Sequence, residues 1–131
     1  MPTTLIVRDE TTGGKTTNEF SLEFLTERVT VHELIRSRVY QEVQDFNRER
    51  RGTFRGLVQP TGAEQVLNGF RFNKPRQIDW KAQFDQAVEA FESGRVLIIV
   101  DDKQADSLDE EIELRANTDV AFLRLMPLVG G

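Results

Sequence analysis

The residues around Thr30 constrain the fold more than any other feature, because the apolar pattern changes there from that of a strand to that of a helix. In Phe20–Phe24, apolar and polar residues alternate, which is typical of a strand with one buried face. Thr30 and Glu33 have the spacing of a capping box, in which two side chains bond the exposed backbone N–H groups of a helix start. This pattern predicts a strand over residues 18–29 and a helix over about residues 31–47.

The predicted helix is amphipathic. Its apolar side consists of residues at helical spacing, namely Val31, Ile35, Val39, Val43 and Phe46.

Before the strand that precedes this helix, Thr3–Val7 is a short β-favouring run, and the Gly-rich segment Thr11–Lys15 is a turn signal. The first two strands are therefore predicted to form a hairpin. Gly13-Gly14-Lys15 lacks the remaining spacing of a phosphate-binding loop.

The middle of the chain, residues 48–78, has closely spaced Gly and Pro and no long regular pattern. It also has too many apolar residues for a solvated linker, so part of it is expected to pack on the domain. A second helix is predicted from Asp79, as the N-cap, to Gly94. We interpret the large apolar residues of this helix as core residues, with a partner-binding groove as the alternative; they are Trp80, Phe84, Val88 and Phe91.

The last part of the chain begins with Arg95–Val100, which is apolar from Val96 onwards and is predicted to be a fully buried strand. Asp101-Asp102 is predicted to turn the chain, and residues 103–117 form an acidic, polar connection. A last strand is predicted over Val120–Met126, and the sequence continues to Gly131. Its expected core residues are Val120, Phe122 and Leu125.

Composition limits the function. The 131 residues, of which 38% are hydrophobic and 30% charged, indicate one domain that folds alone. No cysteine and only one histidine, His32, are present, which excludes thiol nucleophiles, disulfides and cysteine-type zinc sites. The net charge of −5 disfavours a dedicated nucleic-acid binder. The longest apolar run is too short to span a bilayer and no secretory signal is visible, so we expect a soluble, cytoplasmic protein without membrane partners.

Two blocks of the sequence resemble the ubiquitin-like family. Residues 3–48 are similar to the opening hairpin and helix of that family. Residues 95–131 are similar to its short middle strand, its tight connection and its last strand, which runs into Gly130 and Gly131. The resemblance implies an α+β fold of the β-grasp (ubiquitin-like) type, with a mixed sheet around one main helix. The first and last strands are expected to be adjacent and parallel.

The same resemblance implies a domain organisation. Residues 1–131 form a single β-grasp domain in this interpretation. An insertion at about residues 49–94, which contains the second helix, is absent from compact members of the family.

In this family the tail carries the chemistry. The resemblance implies that an adenylating enzyme of the ubiquitin-activating type, with its own ATP and Mg²⁺, activates the carboxyl group of Gly131. Gly130 and Gly131 lack side chains and can pass through a narrow channel. Pro127 would hold the tail extended, and Leu128 and Val129 would be recognised by apolar contacts. The chain itself would be a substrate and not an enzyme, and it would bind no cofactor or metal.

Three functions are compatible with this resemblance. The first is a protein modifier of a bacterial ubiquitination-like pathway, whose partners are the activating enzyme, a conjugating enzyme and target proteins. The second is a sulfur carrier of the molybdopterin or thiamine type, in which Gly131 becomes a thiocarboxylate; the apolar tail resembles those carriers closely. The third is an interaction module that is not conjugated. The inserted segment favours the modifier, because carriers are usually minimal domains.

Other polar groups are predicted to be structural. His32 has no recognisable catalytic partner, and we assign it no function. A basic cluster follows the first helix, whose dipole favours basic residues there, and docking of an acidic partner or a phosphate is the alternative; it consists of Arg48, Arg50, Arg51 and Arg55. The acidic residues of 106–113 lack the spacing of a calcium loop, so we interpret them as a solvated face that could contact a basic surface.

Overall fold

The computed structural model of the chain describes residues 3–49, 53–66, 69–72 and 77–125. These residues contain two helices, α1 (Val31–Glu49) and α2 (Trp80–Glu92). The strands are β1 (Thr3–Glu10), β2 (Thr16–Phe24), β3 (Arg28–Thr30), β4 (Glu64–Val66), β5 (Gly69–Arg71), β6 (Val96–Val100), β7 (Lys103–Gln104), β8 (Glu111–Glu113) and β9 (Val120–Arg124).

The chain divides into two compact units. One consists of Met1–Glu33 and Ala90–Gly131, and we call it the sheet unit. The other is Leu34–Glu89, which we call the second unit. The predicted insertion at about residues 49–94 overlaps the second unit, and the single-domain interpretation stays a prediction.

The sheet unit contains a five-stranded mixed sheet with the order β2-β1-β9-β6-β7. Strand β9 pairs parallel with β1, from Val7↔Val120 to Glu10↔Leu123, and antiparallel with β6. The other pairings in this sheet are antiparallel. The prediction that the first and last strands are adjacent and parallel is confirmed, and this α+β order is that of a β-grasp sheet.

The alternation of side chains along β1 and β2 produces one buried face of the hairpin. Leu5, Val7, Leu22 and Phe24 are buried, and Ile6 between them is 49% exposed. The register Leu5↔Leu22 places buried residues opposite each other, so both strands contribute to the same core. The predicted turn is present, with Gly14 N–H donating to Thr11 O at 2.9 Å.

The start of α1 confirms the predicted capping box. The Glu33 N–H donates to Thr30 Oγ1 at 3.1 Å, and the Thr30 N–H donates to Glu33 Oε1 at 3.4 Å. Two further N–H groups of this turn donate to backbone carbonyls, Val31 to Glu110 O at 2.9 Å and His32 to Leu108 O at 3.0 Å. The first amide groups of the helix are therefore satisfied by the capping box and by the segment before β8.

Both predicted ends of α2 are present. The Lys81 N–H donates to Asp79 Oδ1 at 3.1 Å, so Asp79 is the N-cap. At the other end, the Arg95 N–H donates to Ala90 O at 2.9 Å, and the Gly94 N–H donates to Phe91 O. This pair of bonds is a Schellman motif, and the φ of +79° at Gly94 explains why glycine occupies that position.

Three expectations for the sheet unit were wrong in detail. Strand β6 is not fully buried, because only Val96 and Ile98 are buried. Leu97 and Ile99 lie on the other face, and they and Val100 are half-buried. Leu125 was expected in the core with Val120 and Phe122, but it follows the end of β9 at Arg124 and is 38% exposed. The region predicted as one strand over residues 18–29 is two strands, β2 and β3, which belong to different sheets.

The second unit contains irregular backbone beside its helices. Phe54 and Phe70 exchange backbone hydrogen bonds at 2.8 and 2.9 Å, which extends the β4/β5 pair. Gly69 is required at this bridge, because a Cβ there would lie 2.5 Å from Phe54 O. The Asn47 side chain bonds both backbone groups of Ile78, as the backbone of a neighbouring strand would. Its amide donates to Ile78 O at 2.9 Å and accepts from the Ile78 N–H at 2.7 Å.

Candidate functional site

Strand β9 leads towards the tail on which the predicted chemistry depends. It lies between β1 and β6, so both of its edges are hydrogen-bonded. One more bond follows the strand, from the Leu125 N–H to Arg95 O at 2.9 Å. The order of the sheet therefore extends to Leu125. The predicted site residues lie outside the described residues, namely Pro127, Leu128, Val129, Gly130 and Gly131.

An apolar surface lies on one face of the sheet beside this strand. Leu123 is opposite Leu97, and Ala121 is opposite Ile99, in the register between β9 and β6. These side chains alternate with the buried core residues, so they share the opposite face of the sheet, as does Ile6 of β1. Leu97, Ile99 and Leu123 are half-buried and Ile6 is 49% exposed. Ala121 is buried, so we call the other four residues the sheet surface, namely Ile6, Leu97, Ile99 and Leu123.

A charged cluster fixes the start of β9 on the same face. Arg8 Nη2 donates to Asp119 Oδ2 at 3.0 Å, Arg8 Nη1 contacts the other oxygen of that carboxylate, and Arg8 Nε donates to Glu10 Oε2 at 3.1 Å. The hydrogen bond to Asp119, followed by that to Glu10, raises the pKa of the Arg8 guanidinium above its usual value. Asp119 also donates its N–H to Asp101 Oδ1 at 2.9 Å. The cluster therefore joins β1, β9 and the β6–β7 turn beside the sheet surface.

The backbone N–H groups in the first turn of α1, around His32, are all hydrogen-bonded. As described above, the N–H groups of Val31, His32 and Glu33 all have acceptors within the sheet unit. A helix N-terminus binds an anion through such groups when they are unsatisfied. These three amide groups are not available for an anion, so this helix start has a structural role.

The acidic and basic groups singled out in the sequence also have structural partners. Glu110 Oε1 accepts from the Asp106 N–H at 3.0 Å and closes the turn before β8. Within the described ranges, no group of three or more His, Asp or Glu residues is arranged to hold a metal ion. Arg48 pairs with Asp45 at 3.3 Å, and Arg50 and Arg51 lie outside the described residues.

The sequence interpretation missed a buried ion pair in the second unit. Arg38 is 0% exposed, and its Nε donates to Glu42 Oε2 at 3.2 Å. The other oxygen of Glu42 accepts from the Leu57 N–H at 3.2 Å. Arg38 lies one helical turn after Leu34 and next to Val39, within the apolar stripe of α1. This position in the sequence was the signal that the Arg38 side chain is buried.

A small cavity also lies in the second unit. Its volume is about 80 Å³, and its walls include Pro60, Ile78 and Gln83. Gln83 is buried, and its side-chain amide donates to Val58 O at 3.0 Å. Ligand sites for small molecules usually occupy at least roughly 300 Å³, so this cavity is too small for a nucleotide or an organic cofactor.

Comparison of the chain with known proteins finds no match to a protein-family model, a curated protein or a solved structure. The assignment of the fold therefore rests on the order and direction of the strands. Neither helix of the described part combines the length and the apolar character that a membrane span needs.

Proposed function

We propose that this chain is a ubiquitin-like protein modifier of a bacterial conjugation pathway. The observation that carries the proposal is the central position of β9, which is parallel to β1 and followed in the sequence by Gly130 and Gly131. A tail that follows a strand paired on both edges has a fixed origin. Its glycines meet the steric requirement of a narrow catalytic channel, because a Cβ at either position would widen the chain.

The proposed reaction activates the carboxyl group of Gly131. A carboxylate oxygen attacks the α-phosphorus of ATP, the bond to the β-phosphate oxygen breaks, and pyrophosphate leaves with that electron pair. The resulting acyl-adenylate is a good electrophile, and an amine of a target protein then displaces AMP, directly or through enzyme-bound thioesters. ATP, Mg²⁺ and the thiols belong to the activating and conjugating enzymes, and the reaction takes place in the cytoplasm.

The tail residues of this chain contact these enzymes and keep the backbone in the orientation that the reaction needs. Pro127 restricts φ and favours an extended backbone, and Leu128 and Val129 supply apolar contacts at the entrance of the channel. The sheet surface supports the proposal, because it offers an apolar docking area on β9, which precedes the tail in the sequence, and on strands of the same sheet. The Arg8 cluster forms a polar border for that area.

The test is adenylation of the purified chain by its cognate activating enzyme with ATP and Mg²⁺. We expect Gly131-linked adenylate in mass spectrometry and release of pyrophosphate. Deletion of Gly131 and Gly130→Val should each abolish both signals. Gly13→Val is the matched control, since a Cβ at this turn position meets only Thr11 Oγ1 at 3.8 Å, and it should react like the wild type.

The product distinguishes the alternatives. An amide, ester or thioester that joins Gly131 to another protein supports the modifier. Replacement of one terminal oxygen by sulfur identifies a sulfur carrier, for which the apolar Leu128-Val129 pair is the favourable observation. Absence of any adenylate, together with normal cellular function of the Gly131 deletion, contradicts both and leaves a non-conjugated interaction module.

A further inference from the structure

An aromatic cluster in the second unit has a basic residue on its surface. Arg36 Cζ lies 5.5 Å from the centroid of the Trp80 ring. The Tyr40 ring meets Trp80 edge-on, with centroids 5.5 Å apart and an interplanar angle of 85°. Phe84 continues the cluster, 6.1 Å from Trp80. Arg36 and Tyr40 are one turn apart on α1, and Trp80 and Phe84 are one turn apart on α2.

These side chains are accessible, contrary to the expectation that Trp80 and Phe84 are core residues. Tyr40 is 45% exposed, Trp80 and Phe84 are half-buried, and Arg36 is exposed. The positions are nevertheless restrained, since Gln44 Nε2 donates to Tyr40 Oη at 2.7 Å and Arg36 packs on Trp80. Binding to such a surface costs little additional side-chain entropy. Trp, Tyr and Arg are also the residue types that dominate binding energy at protein interfaces.

The charge of Arg36 indicates the chemistry of the partner. Within the described part of the chain, no carboxylate lies at ion-pair distance from Arg36, whereas Arg8, Arg38 and Arg115 each pair with at least one. A guanidinium that rests on an aromatic ring keeps its N–H donors available for a planar, two-point contact with a carboxylate. The surface therefore combines an apolar, aromatic floor with one anion-binding edge.

We propose that Arg36, Tyr40 and Trp80 form a docking surface for a segment of a partner protein that carries Asp or Glu beside a large apolar side chain. The carboxylate pairs with Arg36, and the apolar side chain packs against Tyr40 and Trp80. This surface lies wholly within Leu34–Glu89 and is independent of the chemistry proposed for Gly131.

The chain carries its own reporter for the test, since Trp80 is its only tryptophan and Tyr40 its only tyrosine. The probe is a capped peptide of sequence Gly-Glu-Glu-Leu-Phe-Glu-Gly, titrated into the full chain while tryptophan emission is recorded. We expect a saturable change in emission. The same peptide with Gln in place of each Glu should bind at least about tenfold more weakly, because the charged hydrogen bonds are lost.

Variants of the chain locate the contact. Arg36→Gln should weaken binding about tenfold without a change in far-UV circular dichroism, and Tyr40→Ala should weaken it further. Arg48→Gln removes the same charge from an exposed position on the same helix and should bind like the wild type. The proposal is overturned if no peptide changes the emission, if Arg36→Gln binds normally, or if the Gln peptide binds as well as the Glu peptide. Self-association of the wild type that is lost in Tyr40→Ala would also overturn it, because the occupant would then be a second copy of the chain.

Discussion

The sheet unit and the second unit satisfy their backbone polar groups in different ways. In the sheet unit, the hydrogen bonds run mainly between backbones, and β9 is paired along both edges. In the second unit, side chains take over this role for irregular segments. Glu42 bonds the Leu57 N–H, Asn47 bonds both backbone groups of Ile78, and Gln83 bonds Val58 O.

This difference determines which substitutions should lower the stability of each unit. A strand keeps its backbone hydrogen bonds with any side chain except that of proline, so truncation of a side chain should damage the sheet unit through the loss of apolar volume. A buried backbone group that depends on one side chain loses its partner when that side chain is truncated, and the desolvation penalty remains. Polar residues should therefore matter in the second unit about as much as large apolar residues matter in the sheet unit.

The largest expected effect is that of Phe122→Ala. Phe122 is 0% exposed in the central strand β9, so the variant leaves a cavity and loses about 4 kcal/mol of stability. Amide hydrogen exchange of β9 and its neighbours measures the loss directly. Leu25→Ala, at a position that is 88% exposed, is the control and should change little. If the amides of β9 exchanged as slowly in Phe122→Ala as in the wild type, the result would contradict the view that buried apolar volume stabilises this unit.

A somewhat smaller effect is expected for Glu42→Ala in the second unit. The variant removes the carboxylate that accepts from buried Arg38 and from the Leu57 N–H, and the loss should be about 3 kcal/mol. Trp80 lies in the same unit, so the urea midpoint of its emission is the measurement. Glu42→Gln sharpens the comparison, because it keeps an acceptor for Leu57 and should lose less than Glu42→Ala.

The control for this pair is Glu64→Ala. Glu64 is exposed on β4 in the same unit, so its loss should fall within about 0.5 kcal/mol of zero. An equal, small effect of Glu42→Ala and Glu64→Ala would break the proposed contrast between the units. An equal, large effect of Glu42→Ala and Glu42→Gln would assign the stabilisation to the charge and not to the Leu57 bond.

The same contrast explains what could be predicted from the sequence. The hairpin, α1 and α2 follow from apolar periodicity, turn residues and capping residues, which are local signals. The position of the last strand beside the first was predicted from the resemblance to the ubiquitin-like family and not from a local pattern. Arg38 was missed because a charged residue within an apolar stripe reveals its burial only through its partner. The side-chain bonds to Leu57 and Ile78 join residues far apart in sequence, and no local pattern specifies them. The tail residues 127–131 lie outside the described residues, so their role remains a prediction.

The smallest expected effect concerns a side chain that bonds the backbone at the surface. Thr30 Oγ1 accepts from the Glu33 N–H at 3.1 Å, as Glu42 accepts from Leu57, but this bond is exposed. Water can replace the hydroxyl, so Thr30→Ala should cost only about 1 kcal/mol. Thermal unfolding and faster exchange of the Glu33 amide measure the loss; Thr30→Ser should restore both, and exposed Thr12→Ala should change neither. A loss as large as that of Glu42→Ala would show that burial does not set the value of these bonds, and the difference between the two units would need another cause.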